Sequence, residues 1–245
     1  GLVDGEEILR VQPLKGTPQH YGGRLAFLPD GTLLLTTGEG FDYREAAQNP
    51  ASELGKVLRI HDDGTVPADN PLNGAGARRV WTLGHRNPQG LVVDEVTGDA
   101  WLHEHGPRGG DEVNRLTPAA NYGWPAVTHG LDYSGATISP YKHWPGMVDP
   151  EHVWVPSIAP SGLALYRGDR FPGWQGDLFV GALVDRDIRR LDLEDGVIVG
   201  EERLFGELDE RIRDVRSAPD GFLYLLTDSE AGQLVRVRPA EGTGR

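Results

Sequence analysis

The chain repeats one pattern of hydrophobic and polar positions four times: a short apolar run, a tight turn and a second apolar run. In the first and last repeats a Pro-Asp-Gly triplet, at 29–31 and 219–221, separates the two runs. Pro and Gly favour the backbone angles of such turns, so the pattern predicts antiparallel hairpins. The four predicted hairpins cover residues 24–40, 90–106, 161–183 and 213–229.

A short apolar segment follows each predicted hairpin and provides a candidate outer strand. These segments are 56–60, 112–116, 187–193 and 233–239. No segment shows a sustained helical period, which argues against a helical solenoid. One four-stranded sheet plus variable loops in each repeat is the construction of a β-propeller. The predicted fold class is therefore all-β, a propeller with about four blades plus a partial blade in one domain, 1–245.

The partial blade is predicted near the beginning, where residues 6–11 have the pattern of the last strand of a blade. Each blade buries its faces against its neighbours, so a propeller has to close into a ring. The chain is therefore expected to begin partway through a longer domain with further N-terminal blades. A complete ring of four or five blades is the alternative.

Long polar insertions between the predicted strands are candidate functional loops. They cover residues 41–55, with room for one helical turn, 61–78 and 117–157. The last insertion carries five aromatic residues: Trp124, Tyr133, Tyr141, Trp144 and Trp154. Over one end of a propeller such rings can form a platform for a sugar or a cofactor. The alternative is that most of these rings pack on one another inside the loop.

Composition narrows the class of partner. The formal net charge of −13 argues against nucleic acid, which binds to a basic face. No apolar run approaches the roughly 18 residues that a membrane-spanning helix needs. The absence of cysteine removes disulfides and thiolate metal sites. Neither nucleic acid nor a membrane span is therefore expected.

The stretch 84–114 concentrates candidate chemistry. Arg86 and Asn87 precede a proline, which favours extended or turn backbone for them. The loop that follows alternates glycine and proline with charged residues, and a glycine lets backbone approach a ligand closely. The carbonyls of such a loop can bind a hard cation such as calcium; the alternative is a solvated loop with ordinary ion pairs. Six polar residues fall within ten positions: His103, Glu104, His105, Arg108, Asp111 and Glu112.

Three further residues are candidates outside that stretch. His20 lies just before the first predicted inner strand, where a histidine can act as a general base or have a structural role. Arg211 and Arg213 alternate, so on a strand they share one face. An anionic ligand would relieve their repulsion through bidentate pairing. Pairing with a neighbouring carboxylate, Asp209, Glu210 or Asp214, is the alternative.

Five motifs in order resemble the soluble quinoprotein sugar dehydrogenases, and most closely their aldose sugar dehydrogenase branch. The motifs are HYGGRL, GHRNPQG, EHGPRGGDE, NYGWP and RIRDVRSAPDG, and the resemblance extends from about His20 to Pro239. It implies a six-bladed propeller, of which about two N-terminal blades would lie outside this chain. It also implies oxidation of the anomeric hydroxyl of an aldose to a lactone by hydride transfer to pyrroloquinoline quinone (PQQ), with calcium as second cofactor.

The resemblance also implies a role for each matching residue. His20 matches the general base, and Asp111 matches the carboxylate that orients it. PQQ contacts are expected from Arg86, Asn87, Arg211 and Arg213, with Arg86 polarising the quinone. Two calcium sites are implied by the carbonyls of Gly106 and Pro107, and by Glu112 with the carbonyl of Tyr122. An electron acceptor of unknown identity and a periplasmic or secreted location are also implied.

One departure from the family pattern concerns the cofactor. Val184 stands where the family usually has a lysine that contacts PQQ, and Arg186 follows two residues later. Loss of an ammonium group weakens binding of an anion, and two residues along a strand span about 7 Å. Two other functions stay open at this point. One is a calcium-dependent propeller hydrolase such as a lactonase, and the other is a non-catalytic propeller that binds a sugar or cofactor.

Overall fold

The computed structural model describes residues 5–72, 74, 76 and 78–240 and is nearly all β. The described strands form three antiparallel sheets of four strands and one of three, in chain order. The first sheet contains β1 (Gly22–Phe27), β2 (Leu33–Thr37), β3 (Lys56–Ile60) and β4 (Val80–Leu83). The second contains β5 (Pro88–Val93), β6 (Ala100–Glu104), β7 (Asp111–Leu116) and β8 (His152–Trp154).

The third sheet contains β9 (Pro160–Leu165), β10 (Leu178–Ala182), β11 (Ile188–Glu194) and β12 (Val197–Leu204). The last contains β13 (Ile212–Ser217), β14 (Leu223–Thr227) and β15 (Leu234–Val237). Short 3-10 helices cover Arg44–Gln48, Pro172–Trp174 and Gly206–Leu208. Among the described residues no helix is long and apolar enough to cross a membrane.

The sheets are consecutive blades of a β-propeller, which confirms the predicted fold class. The first strands of neighbouring sheets contact each other in order, β1 with β5, β5 with β9 and β9 with β13. Separate apolar clusters fill the spaces between the first and second, second and third, and third and fourth sheets. Leu34, Leu102 and Leu178, one from each of three blades, are fully buried. Burial on both sides of a sheet explains the repeated apolar runs of the sequence.

The predicted Pro-Asp-Gly turns are confirmed. Gly31 and Gly221 both have a φ of 81°, a conformation that glycine adopts without steric penalty. The first hairpin closes with a bond from the Leu28 N–H to the Thr32 carbonyl, 2.8 Å long. The last closes with the equivalent bond from Ala218 to Phe222, 3.0 Å long.

Two predictions about strands need correction. The predicted outer strands are third strands, β3, β7, β11 and β15. The outermost strand β8 lies in a segment predicted to be a loop, and β4 and β12 lie in segments for which the sequence predicted no strand. The predicted strand at 6–11 is wrong, because no described strand pairs with it. Its apolar side chains Leu9 and Val11 instead pack against Leu58 and Val80 on the first sheet. The loop predicted at 61–78 includes positions 73, 75 and 77, which lie outside the described residues.

This topology brings several loops to one end of the propeller. The starts of neighbouring first strands lie side by side, since hydrogen bonds join Glu39 to the Arg86 carbonyl at 2.9 Å, His105 to the Pro160 carbonyl at 2.6 Å and Ser161 to the Ile212 carbonyl at 2.6 Å. The residues just before them therefore lie at a common end, together with the loops that join second to third strands. His20, Arg86 and Arg211 precede β1, β5 and β13, and Val184 lies in a loop between a second and a third strand. The predicted site residues thus share one end.

Lys56 anchors the loop that joins β2 to β3. Its side chain is fully buried, and its Nζ donates hydrogen bonds to the carbonyls of Ala46, Ala47 and Leu54, 2.8, 2.9 and 2.7 Å away. These three acceptors match the three donors of an ammonium group. Gln48 in the same helical turn bonds Asn121 and the Trp124 carbonyl. The loop is thereby fixed from both sides.

A Lys56→Met variant tests how this burial affects stability. Burial lowers the pKa of Lys56 to about 7, whereas the unfolded chain retains an ordinary value near 10.5. Between these values the unfolded state binds the extra proton, so the free energy of unfolding contributed by Lys56 rises with pH. Chemical denaturation at pH 7, 8 and 9 should show a steeper rise for the wild type than for Lys56→Met. Parallel profiles would contradict the assignment, and the exposed Lys142→Met is the matched control.

Candidate active site

His20 is held at the entrance of β1 in an uncommon backbone conformation, with a φ of 52°. Gly38 lies directly beneath it, and a Cβ at this position would come within 2.2 Å of the His20 carbonyl oxygen. Only glycine therefore allows β2 to pass so close to the histidine backbone. The imidazole is 10% exposed, which leaves it accessible to a ligand.

Glu39 is the carboxylate that orients His20. Its Oε1 lies 2.7 Å from the imidazole Nδ1, and the Glu39 side chain is 1% exposed. A carboxylate offers only acceptors, so Nδ1 carries the proton and Nε2 keeps its lone pair. The other carboxylate oxygen, Oε2, is buried and has no partner among the described residues. The pair therefore presents a fixed tautomer with its basic nitrogen free.

The prediction that Asp111 orients His20 is wrong. Both oxygens of this fully buried carboxylate already accept hydrogen bonds from two loops. Oδ1 accepts the Gly106 N–H at 2.9 Å, and Oδ2 accepts the Ser157 hydroxyl at 2.6 Å and the N–H groups of Ile158 and Ala159 at 2.9 and 3.1 Å. Asp111 therefore fixes the loops before β7 and β9.

Glu39 was missed because it is an isolated acid at the end of an apolar strand. The pairing of β1 with β2 could have identified Glu39, since its register pairs Gly22 with Thr37. Extended by two further positions, that register places Glu39 opposite His20. Antiparallel partners lie close enough for their side chains to interact.

Arg86 is a buried cation without an acidic partner. Its side chain is enclosed at 4% exposure, and Nη1 donates to the carbonyls of His105 at 3.0 Å and Gly106 at 2.5 Å. Within the described part of the chain no carboxylate lies within 4.0 Å of its guanidinium. A buried charge needs compensation. The arrangement therefore fits a bound anion or a polarised oxygen.

Glu104 positions Arg86 without neutralising its side chain. Its Oε2 accepts the Arg86 backbone N–H, and its Oε1 lies 2.8 Å from Nδ1 of the buried His85. The other ring nitrogen of His85 contacts the Thr82 hydroxyl at 2.8 Å. Asn87 lies beside this group, and its side-chain carbonyl accepts a hydrogen bond from Gln89 at 3.1 Å. The backbone at 85–87 is thus fixed by buried polar contacts.

Aromatic rings surround the guanidinium of Arg86. Its Cζ lies 5.3 Å from the ring centre of Trp124 and 5.9 Å from that of Tyr133. Phe41 stacks on Tyr133 at 6.2 Å, and its edge approaches the His20 ring at 5.2 Å. The faces of aromatic rings attract cations. His20 and Arg86 are therefore linked by a short series of ring contacts.

The polar cluster at 103–112 separates into different roles. His103 is fully buried, and burial lowers its pKa to about 3, so the ring is neutral. His105 donates from Nε2 to the Pro160 carbonyl at 2.6 Å, and burial lowers the pKa of this ring as well. A cavity of about 660 Å³ is lined by His105, Gly106, Pro107 and Tyr133. The structure thus directs only part of the cluster toward the open end.

The predicted calcium ligands are only partly organised for a metal. Among the described residues no group of three or more His, Asp or Glu side chains could hold a metal ion. The Gly106 carbonyl accepts a hydrogen bond from Arg86. Burial raises the pKa of Glu112, and the nearby Glu104 raises it further. Two residues along the same strand, the buried side-chain amide of Asn114 has no hydrogen-bond partner among the described residues. A cation near Glu112 would stabilise the charged carboxylate and would satisfy the Asn114 carbonyl oxygen, although not its N–H groups.

Arg211 and Arg213 share one acidic partner. They contact the same oxygen of Asp228 at 3.1 and 2.8 Å, rather than the three carboxylates considered from the sequence. Both guanidiniums are about half exposed, so one carboxylate leaves them with a net positive charge. Val184 is 58% exposed. Arg186 forms an ion pair with Asp209 at 3.0 Å, so its charge is already paired and does not replace the missing lysine.

A histidine–carboxylate pair and a buried arginine therefore lie at one end of this propeller. Residues 1–236 match a protein family described as Glucose / Sorbosone dehydrogenase, and the chain belongs to that family. It is 41% identical to aldose sugar dehydrogenase YliI from Escherichia coli over 97% of this chain. The chain spans 65% of the length of that relative.

Two solved structures are also similar. One is a glucose dehydrogenase with 46% identity and a TM-score of 0.91, which covers 95% of this chain and 68% of that chain. The other is the PQQ-bound aldose sugar dehydrogenase from Streptomyces coelicolor, with 28% identity and a TM-score of 0.73. Here the alignment covers 91% of this chain and 64% of that chain. These likenesses confirm the resemblance to sugar dehydrogenases.

The separate roles of Asp111 and Glu39 can be tested by amide substitution. Asp111→Asn replaces an acceptor oxygen with a donor that faces buried N–H groups, and an unsatisfied buried group costs about 1–3 kcal/mol. We expect a loss of about 2 kcal/mol or more in the free energy of unfolding, measured by urea denaturation. Glu39→Gln should lose less, since the Glu39 side chain makes one hydrogen bond among the described residues. Equal losses would contradict the division of roles.

Proposed function

We propose that this chain forms the catalytic part of an aldose dehydrogenase that oxidises the anomeric hydroxyl to a lactone. PQQ would accept the hydride, and His20 would act as the general base. The observation that carries the proposal is the His20–Glu39 contact of 2.7 Å, which leaves the imidazole Nε2 free at the end that holds Arg86. The names of the similar proteins, an aldose sugar dehydrogenase and a PQQ-bound relative, support it.

The charges at this end fit a cofactor with several carboxylates. Arg86 has no acidic partner among the described residues, and Arg211 and Arg213 share one. Arg86, Asn87, Arg211 and Arg213 would hold PQQ, with Arg86 toward the quinone oxygen. When bound, this group supplies a quinone that accepts a hydride. Planar guanidinium groups suit carboxylates because they can donate two parallel hydrogen bonds.

Calcium is the second proposed cofactor. The carbonyls of Gly106 and Pro107 would hold one ion beside PQQ, once Arg86 releases the Gly106 carbonyl that it now bonds. Glu112 and the carbonyl of Tyr122 would hold a second ion. The support is the Glu112 carboxylate, whose pKa is raised by burial and by the nearby Glu104, because a cation there would stabilise its charged form. Oxygen ligands of this kind suit a hard divalent ion.

The proposed reaction has two parts, transfer of a proton to His20 and departure of a hydride from the sugar carbon, and the chain's own residues assist both. His20 Nε2 accepts the proton of the anomeric hydroxyl, and the Glu39 carboxylate stabilises the imidazolium that forms. Loss of that proton raises electron density on the sugar carbon, so its hydride leaves more readily. Arg86 lies beside the position at which negative charge would develop, where a fixed cation is most effective.

The proposal also includes partners and location. The substrate is a small aldose, and an external electron acceptor must remove two electrons after each turnover. Export to the periplasm or beyond follows from the resemblance, and cell fractionation tests it. The hydrolase alternative would need several carboxylates in the central channel. The described channel lining of Arg24, Gln89, Asp214 and Arg216 contains one.

A non-catalytic propeller that binds a sugar or cofactor is the second candidate. The exposed Val184 favours it, because no ammonium group stands there and Arg186 is paired with Asp209. Such a protein would bind PQQ weakly or bind a sugar without oxidising it. Turnover therefore separates the two candidates.

Reconstitution of the whole protein with PQQ and calcium tests the proposed function. Addition of glucose should reduce the bound quinone, followed by its absorbance, and a dye acceptor should sustain turnover. His20→Gln should lower kcat about 10²- to 10⁴-fold with PQQ affinity retained, since a general base typically contributes that factor. The exposed His143→Gln is the matched control. An unchanged kcat in His20→Gln would show that another group takes the proton.

Val184→Lys tests the missing cofactor contact. Val184 is 58% exposed, so a lysine fits there without repacking. A charge-assisted hydrogen bond contributes roughly 1.5–3 kcal/mol, or about 10- to 150-fold in affinity. PQQ titration in calcium should show tighter binding by the variant, and the gain should shrink as salt increases. Equal affinities would mean that position 184 does not face the cofactor.

A further inference from the structure

Tyr133 is an exposed aromatic residue on a rigid loop. Its side chain is 58% exposed, although large apolar rings gain free energy from burial. The same insertion buries Trp124 and Trp154 to about 5% exposure, so its sequence is able to cover aromatic rings. Tyr133 is thus one of the rings of this insertion that the fold leaves open, together with Tyr141 and Trp144.

Several contacts fix the backbone on both sides of Tyr133. Arg108 and Leu131 exchange two backbone hydrogen bonds of 2.8 and 3.2 Å. Asp132 forms an ion pair of 2.6 Å with Arg44, from the loop between β2 and β3. The other oxygen of Asp132 accepts the Ser134 N–H at 3.0 Å, which closes a turn around Tyr133. These contacts hold the backbone of Tyr133 in one position and so fix where its ring can lie.

The ring is positioned next to the two residues that the proposed reaction uses most. Its hydroxyl lies 3.4 Å from Arg86 Nη2, and its ring stacks on Phe41 with planes 19° apart. Phe41 in turn contacts the His20 ring and has a φ of 68°, which is strained for a phenylalanine. Strained backbone at such a position points to a functional constraint.

We propose that Phe41 and Tyr133 form an aromatic wall of the aldose pocket, with Tyr133 packed on the C–H face of the pyranose ring. This inference rests on the proposed function and assigns it a specificity-determining residue. A pyranose presents several C–H bonds on one face, and these carry slight positive charge that matches the negative face of an aromatic ring. Its hydroxyls point outward, toward polar groups such as His20. Open-chain polyols lack this face.

Equilibrium binding to the PQQ- and calcium-loaded protein tests the wall. The probe is 1,5-anhydroglucitol, a pyranose without an anomeric hydroxyl, and calorimetry measures its affinity. Tyr133→Ala should weaken binding about 10-fold, since it removes most of an apolar contact. Tyr133→Phe should bind within about 2-fold of the wild type, because the ring remains. Sorbitol should bind weakly to all variants.

Tyr141→Ala is the matched control. Tyr141 belongs to the same insertion, is 48% exposed and pairs with Trp144 at 4.5 Å. It should leave the affinity for 1,5-anhydroglucitol unchanged. Titration of PQQ without sugar supplies the second measurement, and Tyr133→Ala should retain the wild-type value.

Two results would overturn the inference. One is a Tyr133→Ala protein that binds 1,5-anhydroglucitol as tightly as the wild type does. The other is a matching loss of PQQ affinity, which would assign the ring to the cofactor. Failure of the proposed function looks different, because the wild type itself would then not oxidise glucose.

Discussion

The register of the innermost hairpins controls the chemistry at one end of this propeller. In each hairpin the antiparallel pairing extends past the last ladder residues. His20 then faces Glu39, Arg86 faces Gly106 and Arg211 faces Asp228. Each pair is in contact, through bonds of 2.7, 2.5 and 3.1 Å. A slip of one residue would turn these side chains to the other face of their sheets. The apolar clusters between the sheets prevent such a slip.

Buried ionisable groups keep the open ends of these hairpins rigid. Asp111 accepts four hydrogen bonds from two loops, and Lys56 donates three to the loop that precedes its strand. Glu104 similarly bonds both His85 and the backbone of Arg86. An isolated buried charge is strongly unfavourable, so each is retained only where backbone groups or a side-chain partner satisfy it. Loss of any one would release a loop that carries a candidate site residue.

The sequence predicts the hairpins and third strands because apolar residues recur there and Pro-Asp-Gly marks the turns. It fails for β12, whose side chains are mostly exposed, and for β8, a three-residue strand after a long insertion. Motif matching points to His20 and Arg86 as candidates, but it assigns Asp111 a contact that its four donors exclude. Glu39 and Asp228 are recognised through strand pairing, which linear motifs do not express. The segment 6–11 has apolar residues but no paired strand among the described residues, so its side chains pack against the first sheet without forming a strand.

The separation of the two charged groups has a consequence for reactivity. The chain carries a net charge of −13, yet the Glu39 carboxylate is bonded to His20, and the Glu104 carboxylate is bonded to the backbone of Arg86. The Arg86 guanidinium meets carbonyls and aromatic faces, which exclude water without cancelling its charge. Coulomb interactions strengthen where water is excluded. The Arg86 cation therefore stabilises negative charge on a ligand oxygen beside it. The free ring nitrogen of His20, in contrast, can accept a proton from a ligand hydroxyl. Oxidation of an alcohol needs both at once.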